Sequence, residues 1–385
     1  MKPMQSDVLV IGGGPAGLSA AIRLASQGAQ VVLCEARRYP HDKLCGEFLS
    51  PECSGLLADL GMQAALAALR PVEIHIARIT APGGRDWQVN LPGVALGLSR
   101  RALDAALAER ARQAGVQVCE QTTVHAVRGD LITGFTAQAR SAAGECELSA
   151  RLVIGAHGKR AALDRALQRQ FLHKRQPYLA LKAHFEGPPV PGRIELHGFP
   201  GGYCGLSEVE GGGLVACLLV HERVFQAAAG EAGQAIGTFI TWMQAQNEHL
   251  RDWFSQARRV YPRWISISQV CFDPKPAVEQ DVLMAGDAAG LITPLAGNGI
   301  AMALQGGRLA ADASAAFLAG ELHPKDLRRQ YPADWNQAFR VRLALGRILQ
   351  PLMLRPQALG LVLHLLRTFP RVGRFLVTYT RGMPN

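Results

Sequence analysis

The alternation of apolar and polar positions divides the chain into elements of two kinds. Residues 8–11 form a short apolar run bounded by glycine, the pattern of a strand buried on both faces. Leu18, Ala21, Ile22 and Ala25 then line one helical face, and Gly28 closes that helix. Residues 31–34 repeat the buried-strand pattern. Helical spacing returns over 51–69 and over 99–115, where Leu103, Leu107 and Ala111 recur. Helices are also predicted over 235–254 and 299–318, and apolar strands over 116–120, 151–156 and 281–285.

Runs of the second kind are β-rich with turn residues between them: 74–80, 87–91, 123–128, 132–140, 178–187, 193–199, 202–209, 214–220 and 265–272. They interrupt the first kind, so the predicted domains are interleaved. The expected fold class is α/β. A Rossmann-like domain over 1–70, 96–165 and 275–320 is interrupted by a mixed β-sheet domain over 71–95 and 166–274. A basic helical region over 321–385 follows. Its tail, 327–380, is predicted to break at Pro351, Pro356 and Pro370.

Candidate chemistry begins between the first strand and its helix. Gly12, Gly14 and Gly17 fit the spacing G-x-G-x-x-G. Gly12 permits a tight turn, Gly14 lets backbone approach a pyrophosphate, and Gly17 lets helix and sheet pack closely. Pro15 suits the first helical position, where its missing N–H costs nothing, and Ala16 follows it. The second strand ends in Glu35, 23 residues after Gly12, where an acid meets a ribose hydroxyl. An acid there favours FAD or NAD over NADP.

Composition narrows the class. The chain has 385 residues, 48% hydrophobic and 19% charged, which is enough for more than one packed core. No secretion signal is visible before the first strand, and the eight cysteines lack zinc or C-x-x-C spacing. Reduced thiols, no metal and a cytoplasmic location are the expectation. Residues 321–385 hold eleven Lys/Arg against three Asp/Glu, so most of the net charge of +10 sits in one tail, and no acid follows Asp334. That concentration argues against a nucleic-acid-binding surface.

Four segments together resemble the flavoprotein superfamily that contains p-hydroxybenzoate hydroxylase and the geranylgeranyl reductases. They are the dinucleotide fingerprint, Arg100-x-x-Leu103-Asp104, the turn Ile154-Gly155-Ala156-His157-Gly158, and Gly286-Asp287-Ala288-Ala289-Gly290 with Pro294 and Gly297-Asn298-Gly299-Ile300. Within that superfamily, Lys43-Leu44-Cys45-Gly46-Glu47 is similar to the segment that geranylgeranyl reductases place beside the flavin. The resemblance implies one FAD held by Gly12, Gly14, Pro15, Ala16, Gly17, Glu35, Ala36, Cys45, Gly46, Arg100, Val124, Gly155, Gly286, Asp287, Gly297, Asn298, Gly299 and Ile300. It also implies catalytic roles for Cys45 and for the backbone at Gly297 and Gly299, with Tyr203 and Pro294 toward the substrate. On the residues alone, Cys45 is equally a packed free thiol, and His157 reads as a solvated turn histidine.

The chain departs from the family where His157 replaces the Asp of the second turn, which bears on a pyridine-nucleotide partner. Pro200-Gly201-Gly202-Tyr203-Cys204-Gly205 begins like the prenyl reductases' substrate motif, but the Trp and the Phe-Pro-Lys do not follow. The Trp-x-Trp-x-Ile-Pro of flavin halogenases is absent, and there is no second G-x-G-x-x-G.

The expectation is a single-FAD oxidoreductase acting on a hydrophobic polyketide, prenyl or aromatic molecule, with NAD(P)H as a transient reductant. Hydroxylation through a flavin hydroperoxide is the first expectation and ene-reduction the second. A flavin-bearing protein that modifies or passes electrons to a partner is the third. In the tail, Val341, Leu345, Ile348, Leu349 and Leu352 recur at helical spacing, and Arg367, Arg371, Arg374 and Arg381 follow a second apolar stretch. Two readings stand: a helical lid on the flavin domain, or a peripheral membrane surface.

Overall fold

The computed structural model describes residues 4–230 and 235–373, so Arg374 and Arg381 lie outside the described residues. The opening unit is β1 (Met4–Ile11), α1 (Pro15–Ser26) and β2 (Val31–Cys34). β3 (Val72–Thr80) and β4 (Asp86–Gly97) belong to a second sheet. The chain then returns to the first sheet with α2 (Arg100–Gln113), β5 (Gln117–Cys119) and, after a hairpin, β6 (Gly144–Gly155). The second sheet is completed by β7 (Tyr178–Glu186), β8 (Arg193–Phe199), β9 (Gly202–Val209) and β10 (Gly213–His221). Finally come β11 (Val282–Met284), α3 (Gly299–Leu318), α4 (Pro324–Met353) and α5 (Pro356–Thr368).

The fold is α/β. Five strands of the first sheet run β11–β6–β1–β2–β5 as parallel neighbours with β1 at their centre, while Val278–Glu279 and the hairpin before β6 add antiparallel strands. Val8, Leu9, Val10 and Ile11 are buried on both faces, as their continuous apolar run requires. α1 and α3 cross in close contact. A Cβ at Gly307 would lie 2.2 Å from the Ala16 carbonyl oxygen, and Ser19 Oγ donates to the Leu304 carbonyl at 2.9 Å. The second sheet runs β7–β10–β9–β8–β3–β4 and is mixed, because β8 and β3 are parallel while the other pairs are antiparallel.

Several elements differ from their expected form. The helix over 51–69 is two short helices, Glu52–Ala58 and Gln63–Ala68, separated by Gly61 at φ +73°. The helix over 235–254 divides at Asn247, whose side chain accepts from the His249 N–H and so caps a new helix, Glu248–Phe254. The strand over 265–272 forms a ladder only at Ile265–Ile267. Pro351 does not break the tail. It lies with Pro332 inside the 30-residue α4, each removing one bond from a long ladder, and the break comes at Leu354–Arg355, before Pro356 opens α5.

The tail spans both sheets. Leu327, Tyr331, Trp335 and Phe339 of α4 join the core of the parallel sheet, which is the lid reading. Met353, Leu359, Leu363 and Leu366 instead join a cluster with Ala81, Trp87 and Tyr203 on the second sheet. Each leucine so buried stabilises the docked tail by about 2 kcal/mol.

Candidate functional site

One cleft of about 470 Å³ opens between the sheets and gathers residues from many separate parts of the chain. At its floor, β1 gives way to α1. Gly12 holds φ +109°, and a Cβ there would sit 2.4 Å from the Ala156 carbonyl oxygen, so two glycine turns meet in contact. A Cβ at Gly17 would sit 1.9 Å from the Gly12 oxygen, which makes it a helix-to-strand packing position. Gly14 caps α1 in extended conformation with no side-chain partner, leaving the helix's first N–H groups and its positive dipole end toward the cleft.

Glu35 follows β2 directly and is buried. Its Oε2 accepts from the Gly13 N–H at 2.8 Å, its Oε1 from the Arg37 N–H at 3.1 Å, and Lys43 Nζ lies 3.2 Å away. Burial pushes this carboxyl up, but Lys43 and the two N–H groups outweigh it and hold it below the usual range. Arg100 follows the Ser99 cap of α2 and is clamped two-pronged on Asp104 at 2.7 and 2.6 Å. Burial acts against its charge and Asp104 more than restores it. The guanidinium sits 3.4 Å from where a Gly14 Cβ would be, so a positive charge borders the phosphate-sized gap.

Residues 43–47 cross the cleft and are held from three directions. The Lys43 carbonyl accepts from Lys182 Nζ at 3.0 Å, the Leu44 carbonyl from Lys159 Nζ at 3.4 Å, and the Gly46 carbonyl from Ser207 Oγ at 3.1 Å. Glu47 is fully buried at φ 56°. Its Oε1 pairs with Lys182 Nζ at 2.5 Å and accepts the Arg100 N–H at 2.8 Å, while Oε2 lies 2.6 Å from His184 Nε2. Burial pushes Glu47 up, and His184 and Lys182 overcome it. Cys45, half-buried on this segment, lines the cleft, and its Sγ accepts the Glu47 N–H at 3.4 Å.

At the far end, Asp287 carries an ion pair with Lys159 at 3.1 Å, and Lys275 Nζ donates to its carbonyl at 2.9 Å. Burial pulls Lys159 down and Asp287 raises it further. Gly297 is left-handed at φ 67°, and Gly299 begins α3 behind the buried Asn298. Tyr203 is buried, and its hydroxyl accepts the Leu295 N–H at 3.2 Å, so the second sheet grips the turn that starts at Pro294.

Of the residues singled out in the sequence, Gly12, Gly14, Pro15, Ala16, Glu35, Cys45, Gly46, Arg100, Tyr203, Gly286, Asp287, Pro294, Gly297, Gly299 and Ile300 line the cleft. Gly17, Val124, Gly155 and Asn298 do not line it, nor does Ala36, which is exposed beyond Glu35. A Gly155 Cβ would meet Met284 Sδ at 2.8 Å, which makes that glycine a packing position. His157 is not a freely solvated turn histidine: it lines the cleft with its side chain only 5% exposed, and its Nε2 lies 2.9 Å from Asp164, which Arg169 also contacts at 3.0 Å. Sequence reasoning missed Lys159, Lys182, His184 and Ser207. A lysine and a histidine two apart in an otherwise apolar strand were the available signal.

The cleft fits a flavin dinucleotide. A Cβ added at Gly46, Gly158 or Gly299 would meet nothing within 4 Å, so backbone leaves the wall open there. The family described as FAD binding domain matches residues 5–335.

The chain belongs to that family.

Its relatives are similar over most of their length. The menaquinone reductase of Mycobacterium tuberculosis is 27% identical over 363 residues, covering 88% of this chain and 84% of the relative. The digeranylgeranylglycerophospholipid reductase of Methanosarcina mazei is 29% identical over 345 residues, covering 86% and 80%. Among solved structures, a geranylgeranyl bacteriochlorophyll reductase-like protein from Thermoplasma acidophilum superposes with a TM-score of 0.78 at 22% identity, over 94% of this chain and 91% of that one. The chain is an FAD-dependent oxidoreductase.

Proposed function

We propose that this oxidoreductase reduces a carbon–carbon double bond in a lipophilic, prenyl-type molecule. The observation that carries the reading is the wall beyond the glycine turns. Ile194, Leu196, Ile265, Ile267 and Leu291 give that end of the cleft an aliphatic lining. The names of the relatives, reductases of a prenylated quinone and of a prenyl lipid, support the same chemistry.

When bound, the flavin supplies a hydride, replenished from a donor such as NAD(P)H. The chain's residues supply the rest. The aliphatic wall excludes water from the double bond. The α3 N-terminus, opened by Gly297 and Gly299, offers N–H groups to negative charge on the ring. The Cys45 thiol, fixed by the clamped 43–47 segment, hands its proton to the carbon that did not receive hydride and regains one from solvent.

The test is anaerobic single turnover of the chemically reduced holoenzyme with menaquinone and with digeranylgeranyl lipid. Reduction predicts flavin reoxidation without oxygen and a product that is still two hydrogens heavier after any quinol has been reoxidised to quinone. In a parallel turnover with oxygen admitted, stoichiometric oxygen uptake with a product one oxygen atom heavier would instead establish hydroxylation, the first expectation from the sequence.

A further inference from the structure

α5 carries more apolar residues than the mixed sheet covers. Leu359, Leu363 and Leu366 of α5 are buried. Leu361 and Leu365 lie one turn apart on α5 and are 59% and 46% exposed; Phe369, where the helix ends at φ −121° and ψ 73°, and Val372 just beyond it are 57% and 51% exposed. Single exposed leucines are ordinary, but four large apolar residues exposed in one short segment mark a contact surface. No described helix is long and apolar enough to cross a membrane, so a patch of this kind can only lie on a surface.

The charge around it says which surface. Arg355, Arg367 and Arg371 are exposed on the same segment. Arg85, exposed on the turn between β3 and β4, reaches α5, with its Nη1 2.9 Å from where a Gly360 Cβ would be. No Asp or Glu occurs after Asp334. An apolar patch edged by arginines and free of acids along its own segment is complementary to anionic headgroups over acyl chains, and arginine stems reach from one to the other.

We propose that the exposed apolar residues of α5 and of the segment after its break, through Val372, dock this protein on an anionic lipid bilayer. The placement has a consequence for the cleft. The buried face of α5 shares one hydrophobic cluster with Tyr203 and Leu291, which line the cleft's aliphatic end. One helix diameter, about 10 Å, then separates acyl chains from that end. A lipid-borne substrate reaches the site from the bilayer without crossing water. Only this last step rests on the proposed reductase function; the docking surface stands on its own residues.

The test is flotation of purified holoenzyme with vesicles of phosphatidylcholine alone or mixed with phosphatidylglycerol. The wild type is expected to float with the mixed vesicles, to stay behind with neutral ones, and to be released by raised salt. The exposed-face variant Leu361→Ser/Leu365→Ser/Phe369→Ser should keep its bound flavin and its circular dichroism while losing at least about tenfold in partitioning. The charge variant Arg355→Gln/Arg367→Gln/Arg371→Gln should lose the preference for phosphatidylglycerol. Wild type that ignores anionic vesicles, or a triple-serine variant that floats equally well, overturns the proposal. So does a wild-type dimer that binds no vesicle and falls apart with the serine substitutions, since the patch then belongs to a second copy. Each readout is independent of turnover, so failure of the reductase reading leaves it intact.

Discussion

The two walls of the cleft are built in different ways. The floor, from Gly12 to Glu35 and again from Gly286 to Gly299, is backbone: helix ends, glycine turns and N–H groups set by neighbours in sequence. The opposite wall is side chain. Lys182, His184, Tyr203 and Ser207 reach back from the mixed sheet to hold the 43–47 segment and the Pro294 turn. A site made of backbone needs only a local pattern. One made of converging side chains needs the whole fold to be in place first, and its energetics depend on buried charges meeting their partners.

The largest effect should come from breaking that convergence. Glu47→Gln leaves Lys182, which has no exposed side-chain surface, without its charge partner. The expected cost is about 3–5 kcal/mol in urea unfolding. A variant as stable as wild type would mean the side-chain wall is not clamped through Glu47. Next comes the backbone wall. Gly12→Ala forces a Cβ to within 2.4 Å of the Ala156 oxygen at φ +109°, and should cost about 1–3 kcal/mol and most of the bound FAD. Retained flavin at full occupancy would show that the two glycine turns need not touch.

Between the walls, Glu35→Ala removes the acceptor of the Gly13 N–H and the partner of Lys43. FAD should dissociate about tenfold more readily, and fluorescence titration reads this directly. Acid should act on two ion-paired carboxyls, Asp164, which holds His157 of the second glycine turn, and Glu195 on the mixed sheet. Burial opposes ionisation of Asp164 and Glu195, but His157 and Arg169 hold the first at about 2, while His197, Arg193 and Arg78 hold the second at about 2. Both are depressed, so the unfolded chain takes up the protons first. Their contribution is complete above the ordinary carboxyl range and is lost as pH falls from about 4 toward 2. A urea midpoint that stays flat across that window would contradict it. The smallest structural effect belongs to Cys45→Ser, which should shift stability by less than about 0.5 kcal/mol and leave flavin content alone while slowing turnover. Unchanged turnover would reduce Cys45 to packing.

What the sequence made legible follows the same division. Gly12, Gly14, Gly17 and Glu35 could be read because a phosphate-binding turn is a contiguous backbone shape with a fixed spacing. The strands 193–199 and 202–209 were read to the residue because apolar runs and glycine turns delimit them. Lys182 was not, since nothing near it in sequence records Glu47, 135 positions away. His157 was misjudged because its partners, Asp164 and Arg169, lie beyond the turn, on and past the short helix Ala162–Ala166. The helix over 51–69 was drawn too long because hydrophobic spacing survives across Gly61, while the backbone does not.

The most direct measurement is the flavin itself. Purified protein, denatured and its supernatant quantified, should release one FAD per chain, with no other nucleotide. A colourless protein that takes up no FAD on reconstitution would contradict the claim that the separated glycine turns converge on one cofactor.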